Sequence, residues 1–152
     1  MSVSRELIAF SDEWHEPLLD VWVTSWHATM PQIDFDARRA WFVDHLKGLH
    51  ANGAQTVCAI AGSDLLGFVT IDPQTGHLDQ LAVAPEQFGS GLAIQLLDEA
   101  RARSSKAVYL DVNCDNNRAC RFYQRQGFVV DGEGVNPRSG LKTWRMVSGK
   151  KL

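Results

Sequence analysis

Apolar positions along the chain change their period several times, and each change marks an element. A loose alternation over residues 4–10 predicts a first strand. Ser11-Asp12-Glu13-Trp14 follows as a helix start, with a capping hydroxyl and acid in the first turn. Leu18, Leu19, Trp22, Val23 and Trp26 then recur at helical spacing, and Pro31 ends that helix by forcing Met30 out of helical conformation. Ile33-Asp34-Phe35-Asp36 caps a second helix that reaches His50, with Ala40, Trp41, Val43 and Leu46 inward, until Asn52-Gly53 stops it.

From Gln55 the period shortens to that of strands. Residues 56–61 and 65–71 flank the turn Gly62-Ser63-Asp64 as a hairpin, and Asp72-Pro73-Gln74-Thr75-Gly76 returns the chain into a third strand over residues 77–83. Pro85 ends that strand. Gly89 and Gly91 then open a helix whose stripe is Leu92, Leu96, Leu97 and Ala100. Residues 106–112 form a strand expected to lie parallel to residues 78–83, because a strand-helix-strand crossover is right-handed and places its helix on one sheet face. Asp115 or Asn116 caps a last helix with Ala119, Phe122, Tyr123 and Gln126 inward, closed by Gly127. Residues 128–130 and 141–147 pair across the loop 132–140. The resulting order, β-α-α-β-β-β-α-β-α-β-β, specifies a mixed sheet with helices on its faces.

Composition narrows the class. At 152 residues, 45% hydrophobic and 22% charged, the chain fits one domain over residues 1–152 with a substantial core. A net charge of −3 weighs against non-specific binding to nucleic acid or membrane. No apolar run matches a membrane span, and Met1-Ser2-Val3-Ser4-Arg5-Glu6 lacks the apolar core of a secretory signal, so a cytoplasmic location is expected. The three cysteines, Cys58, Cys114 and Cys120, lack metal spacing and are expected to be reduced structural thiols; no metal is expected.

The stretch from Leu81 to Leu97 carries the chemistry. The first turn of a helix presents unpaired N–H groups and the positive end of the macrodipole, and a turn made bare by Gly89 and Gly91 lets a phosphate approach them. Plain glycine packing at a strand-helix turn is the competing explanation. A dinucleotide site, with Asp111 ending the next strand, fits less well: Pro85 to Phe88 intervene between strand and glycine, a third glycine is missing, and a meander precedes the turn rather than a parallel repeat. No phosphate-loop lysine motif is present.

Two separated stretches act together: Val83-x-Pro-Glu-x-x-Gly-x-Gly-x-Ala opening a helix, and Asn116-x-x-Ala119-x-x-Phe122-Tyr123-x-x-x-Gly127-Phe128 some thirty residues later. In this order the chain resembles the GNAT superfamily of acyl-CoA-dependent N-acyltransferases over nearly its whole length. The resemblance implies an α+β fold: a central mixed, mostly antiparallel sheet of about seven strands flanked by about four helices, with one parallel strand pair splayed at the cofactor site. It also implies acetyl-CoA as acyl donor, its pyrophosphate held by the backbone of Phe88, Gly89, Ser90, Gly91, Leu92 and Ala93. The pantetheine arm is then expected along Leu81, Ala82 and Val83 like an added strand. Asn116 corresponds to the amide that meets that arm, and Tyr123 to the tyrosine that protonates the departing thiolate. Phe88 departs from the family pattern, which has Gln or Arg there, with Gln87 displaced by one position.

An amine acceptor is protonated at neutral pH and must lose a proton before or during attack on a thioester, so a base is needed. His77 and Asp79 lie two apart on the strand entering the turn, hence on one face, with His77 as base and Asp79 orienting or replacing it; a bulge would reverse which of them points inward. Trp26, His27 and Met30 at the exit of the first helix are the expected acceptor wall. One of Arg118, Arg121 and Arg125 is a candidate for the adenosine 3′-phosphate, with a solvated charge face as the alternative. The implied partners are acetyl-CoA and a small-molecule or peptide amine, with a homodimer through the terminal strands. An acyl-CoA sensor or partner-binding module on the same fold is the non-enzymatic alternative.

Overall fold

In the computed structural model, which describes residues 4–148, two antiparallel sheets share the chain. Strands β1 (Glu6–Ala9), β2 (Gln55–Ala61), β3 (Asp64–Ile71) and β4 (Leu78–Val83) form the first, in the order β1-β2-β3-β4. Strands β5 (Tyr109–Asn113), β6 (Phe128–Val135) and β7 (Lys142–Ser148) form the second, in the order β5-β7-β6. Helices α1 (His15–Thr29) and α2 (Arg39–Ala51) join β1 to β2, α3 (Leu92–Arg103) joins β4 to β5, and α4 (Asn117–Arg125) joins β5 to β6. This is the expected α+β architecture of seven strands and four helices.

The central strands are buried on both faces, which explains their nearly unbroken apolar sequence. Val57, Ala59, Val69 and Ile71 face the layer of Leu92, Leu96 and Leu97 from α3. Cys58, Ile60 and Phe68 alternate with them and face Leu18, Leu19 and Trp22 of α1 and Phe42 and Leu46 of α2. The Trp22 and Phe42 rings stack at 4.3 Å and tie the helical hairpin together.

Several local expectations are revised by packing. Ser11 caps no helix, since its hydroxyl bonds Glu13 and a short 3-10 turn, Asp12–Trp14, precedes α1. In α2 the buried residues are Phe42 and Leu46, while Ala40 is exposed, because the 3-10 turn Asp36–Arg38 rotates the helix relative to a start at Asp36. β6 extends through Gly132 to Val135, so the connection to β7 is shorter than the expected loop.

The parallel pair is splayed, as expected, and its pairing is reduced to one contact. β4 and β5 touch at a single parallel bridge, His77 to Tyr109, where the Tyr109 N–H donates to the Gly76 carbonyl at 2.9 Å. Gly76 is required there: its φ is +84°, and a Cβ would collide with the Ala107 carbonyl. Beyond this pin β4 pairs only with β3, and β5 only with β7. The two unpaired edges diverge, and the space between them belongs to a cavity.

Candidate active site

A cavity of about 800 Å³ runs from the start of α3, through the gap between β4 and β5, to the aromatic residues of α1 and α2. Leu81, Ala82, Val83, Phe88, Gly89, Gly91, Ala93, Asn116 and Tyr123, the residues expected to meet the donor, all line it, and the half they form is called the donor half. Pro85–Gln87 forms a 3-10 turn after β4, and Gly89 (φ +80°) and Gly91 (φ +87°) take the left-handed conformations that swing the chain into α3. The N–H groups of Gly89, Gly91, Ala93 and Ile94 donate to no acceptor among the described residues and lie at the start of α3. The Leu92 amide instead donates to Ser90 Oγ at 3.3 Å, and the Leu92 side chain is fully buried in the core. Ser90 is exposed, and Arg5 donates to its hydroxyl at 3.2 Å. Leu92 and Ser90 therefore enter the turn as structural members, and neither lines the cavity.

Phe88 has a counterpart. The guanidinium of Arg118, from the first turn of α4, lies 3.7 Å over its ring and lines the same cavity. A positive charge from α4 thus lies beside the turn.

Asn116 caps α4, its Oδ1 accepting from the Ala119 N–H at 3.2 Å, which leaves the amide nitrogen for the cavity. Tyr123 packs edge-on against Phe122 and Phe128, and burial pushes its hydroxyl well above the ordinary phenol range. That hydroxyl stays protonated at neutral pH.

β4 carries a bulge. Ile71 pairs with Leu78 and Thr70 with Gln80, so Asp79 is the extra residue, turned out of the ladder. Asp79 Oδ2 meets Nε2 of His45, from α2, at 2.8 Å, and Gln80 Nε2 donates to the same oxygen at 3.1 Å. Burial raises the Asp79 carboxyl, but the His45 hydrogen bond and charge outweigh it and the net shift is downward. The Asp79 hydrogen bond raises His45, against burial and the nearby Arg138. The two directions agree on an ion pair through the acid side of neutrality.

His77 also lines the cavity but stacks on Tyr109 at 5.0 Å, so the ring hydrogen-bonded to Asp79 is that of His45. Trp26 and Met30 sit one helical turn apart and both line the other half of the cavity, where the acceptor is expected. His27, rotated away from them on α1, is exposed and outside the cavity, so it does not form the expected wall. Met30 is tied to the sheet by Asn113, whose side-chain amide lies 3.6 Å from its sulfur.

The sequence reading missed His45, Arg38 and Arg138. A signal for two of them existed: Arg38, Trp41, Phe42 and His45 fall on one helical stripe, and polar residues on an apolar stripe mark a site as readily as a defect. Arg138 carried no signal, since only the hairpin turn brings it over Trp41, at 4.3 Å. Among the described residues no cluster of three or more His, Cys, Asp or Glu is arranged to hold a metal ion. No described helix is long and apolar enough to cross a membrane.

The family model of the acetyltransferase (GNAT) family matches residues 9–128, and the chain belongs to this family of acetyltransferases. Its fold is similar to that of PaiA N-acetyltransferase from Thermoplasma acidophilum in complex with coenzyme A, at 22% identity and TM-score 0.79 over 97% of this chain and 99% of that one. It is also similar to a GCN5-related N-acetyltransferase from Rhodopseudomonas palustris (22% identity, TM-score 0.77, 99% of each chain). The apo-form of YjaB from Escherichia coli gives 22% identity and TM-score 0.76 over 95% of this chain and 97% of that one. No curated protein matches the sequence.

Proposed function

We propose that the chain transfers an acetyl group from acetyl-CoA to a primary amine, by direct attack of the amine on the thioester. One observation carries this reading: the bare amides ahead of α3, the open edges of β4 and β5, the protonated Tyr123 and the Asp79–His45 pair all border one cavity. The donor fits what is present. Four unpartnered amides at a helix start suit a pyrophosphate, and an unpaired strand edge suits an extended chain of amides such as pantetheine.

Bound acetyl-CoA supplies a thioester carbonyl at which a C–N bond forms as the C–S bond breaks. Around that centre Asp79 and His45 accept the proton of the acceptor amine, His45 as the imidazole and Asp79 as the carboxylate that fixes its tautomer. His77 borders the same passage and belongs to the proposal as a group that tunes Asp79 by charge. Tyr123 donates its hydroxyl proton to the departing thiolate. Within the turn from Phe88 to Ala93 the free amides of Gly89, Gly91 and Ala93 hold the phosphates, Asn116 Nδ2 meets the pantetheine arm, and Trp26 and Met30 bound the acceptor. No metal enters the scheme.

A homodimer through the outer strand β6 is part of the same proposal, supported by the exposed Val129, Val130 and Val135. The free Cys58, Cys114 and Cys120 fit a reducing cytoplasmic setting. The test is a thiol-release assay with acetyl-CoA over amino acids, polyamines, aminoglycosides and peptides, with calorimetry of coenzyme A alongside. Release of free thiol with one of these classes is expected. Binding without release from any of them would instead identify a sensor.

A further inference from the structure

The acceptor half of the cavity has a charge pattern that selects among amines. Its walls are aromatic: Trp26 stacks on Phe35 at 5.5 Å, Phe35 meets Trp22 edge-on at 5.6 Å, and Trp41 stacks on His45 at 4.8 Å. Two guanidiniums lie on these walls. Arg38, at the end of the 3-10 turn before α2, sits over Phe35 at 5.5 Å, and Arg138, on the β6–β7 turn, sits over Trp41 at 4.3 Å.

Neither makes an ion pair among the described residues. Arg39, Arg101, Arg103 and Arg145 all do, and Asp36, the carboxylate nearest Arg38 in sequence, is engaged by Arg39 at 2.6 Å. A guanidinium seated over a ring and without an ion-pair partner keeps N–H groups available, and a guanidinium edge matches a carboxylate in two parallel hydrogen bonds. The turn that presents Arg138 is fixed, since Asn136 Oδ1 accepts from the Arg138 N–H at 2.9 Å and the Ser139 N–H at 3.2 Å. The acceptor half is therefore pre-organised.

Acidic groups are scarce by contrast. Two acidic residues line the cavity: Asp79 is engaged by His45, and Asp111 by Arg145 in a bidentate pair at 3.1 Å. A polyamine or aminoglycoside, with several cationic centres, finds no free carboxylate here and meets two guanidiniums.

Resting on the proposed acetyl transfer, we infer that the acceptor is an amino carboxylate with an aromatic body, of the aromatic α-amino acid class. Its carboxylate binds Arg38 and Arg138, its ring packs among Trp26, Phe35 and Trp41, and its amine is directed to Asp79 and His45. In the reaction the amine nitrogen gains the acetyl carbon, the thiolate leaves and is protonated, and the carboxylate is unchanged.

Trp22, Trp26 and Trp41 line the cavity, so binding can be read from tryptophan fluorescence independently of turnover. The protein, saturated with coenzyme A, is titrated with L-phenylalanine, L-phenylalaninamide, phenethylamine and spermidine. L-phenylalanine is expected to bind roughly tenfold or more tighter than its amide or phenethylamine, the worth of one charge-assisted bidentate contact, and spermidine not to compete. The double variant Arg38→Ala/Arg138→Ala should bind acid and amide alike, while Arg138→Lys, which keeps the charge, should retain part of the preference. Equal affinity for acid and amide in the unaltered protein, a preference that survives the double variant, or no response to any aromatic probe would overturn the inference. An intact acid preference without thiol release from any amine would overturn acetyl transfer and leave the carboxylate site standing.

Discussion

The two halves of the cavity are built from different material. In the proposed reading the donor half grips with backbone: unpaired amides ahead of α3 and the open edges of β4 and β5 offer the same donors and acceptors whatever side chains surround them. The acceptor half is made of side chains from separate elements, with Trp26 from α1, Arg38 and His45 from around α2, Asp79 from the β4 bulge and Arg138 from the β6–β7 turn. A backbone grip tolerates substitution at Phe88, because the turn's geometry rather than its side chain presents the amides. The side-chain half has no such tolerance, and its chemistry follows residue identity. Specificity can diverge in the second half while the first stays constant.

Tyr123 is the proposed proton donor to the departing thiolate, and its removal should have the largest effect. Tyr123→Phe keeps the ring against Phe122 and Phe128, so the fold is retained, while kcat falls by roughly a hundredfold or more through loss of the proton donor. Steady-state kinetics with saturating acetyl-CoA checks it. A kcat within a few-fold of the parent would remove Tyr123 from the chemistry.

Gly91→Val tests the backbone half. Forcing a β-branched residue to φ +87° costs about 1–3 kcal/mol and distorts the first amides of α3, so coenzyme A affinity should fall roughly tenfold or more by calorimetry. The pH profile of the remaining activity should be unchanged. Arg118→Ala is expected to have a smaller effect, a few-fold loss of coenzyme A affinity that shrinks as salt rises, since a partly exposed guanidinium is screened. A loss as large as that of Gly91→Val would mean that the donor half depends on side chains after all.

The smallest expected effect is on stability. His45 is raised above its ordinary 6.5 in the folded state, so its contribution is full below about that pH and is lost as pH rises through the higher folded value. Asp79 is lowered below 3.8, so its contribution is present above that pH and lost as pH falls below it. Thermal melts of His45→Gln should therefore differ most from the parent between about pH 4 and pH 6.5, by roughly 1 kcal/mol or less, and converge at alkaline pH. A difference that grows with pH would contradict the ion pair.

The same contrast explains what the sequence disclosed. Glycine spacing and helix starts are local, so the turn from Val83 to Gly91, the cap at Asn116 and the close at Gly127 were all legible. Element order was legible for the same reason. The partner of Asp79 was not: His45 lies thirty-four residues away, and only the packing of α2 on β4 together with a one-residue bulge joins them. His27 was placed on the acceptor side by its proximity in sequence to Trp26, but one residue along a helix is about 100° of rotation, enough to send it to solvent. The β4–β5 splay was legible through the resemblance, whereas the pin that starts it, where Gly76 lets the chain approach the Ala107 carbonyl, is not encoded in periodicity.

The most direct test of a donor held by backbone and an acceptor activated by side chains is to separate the two in one variant. Asp79→Asn removes the carboxylate while leaving α3 and the turn before it intact. Calorimetry of coenzyme A and the pH dependence of kcat/KM are then measured on the same preparation. The predicted result is coenzyme A affinity within about twofold of the parent, kcat/KM lowered by roughly a hundredfold, and the alkaline-rising limb moved to lower pH, because His45 loses the partner that raises it. Parallel loss of coenzyme A affinity and turnover, or turnover retained with an unmoved limb, would contradict the division.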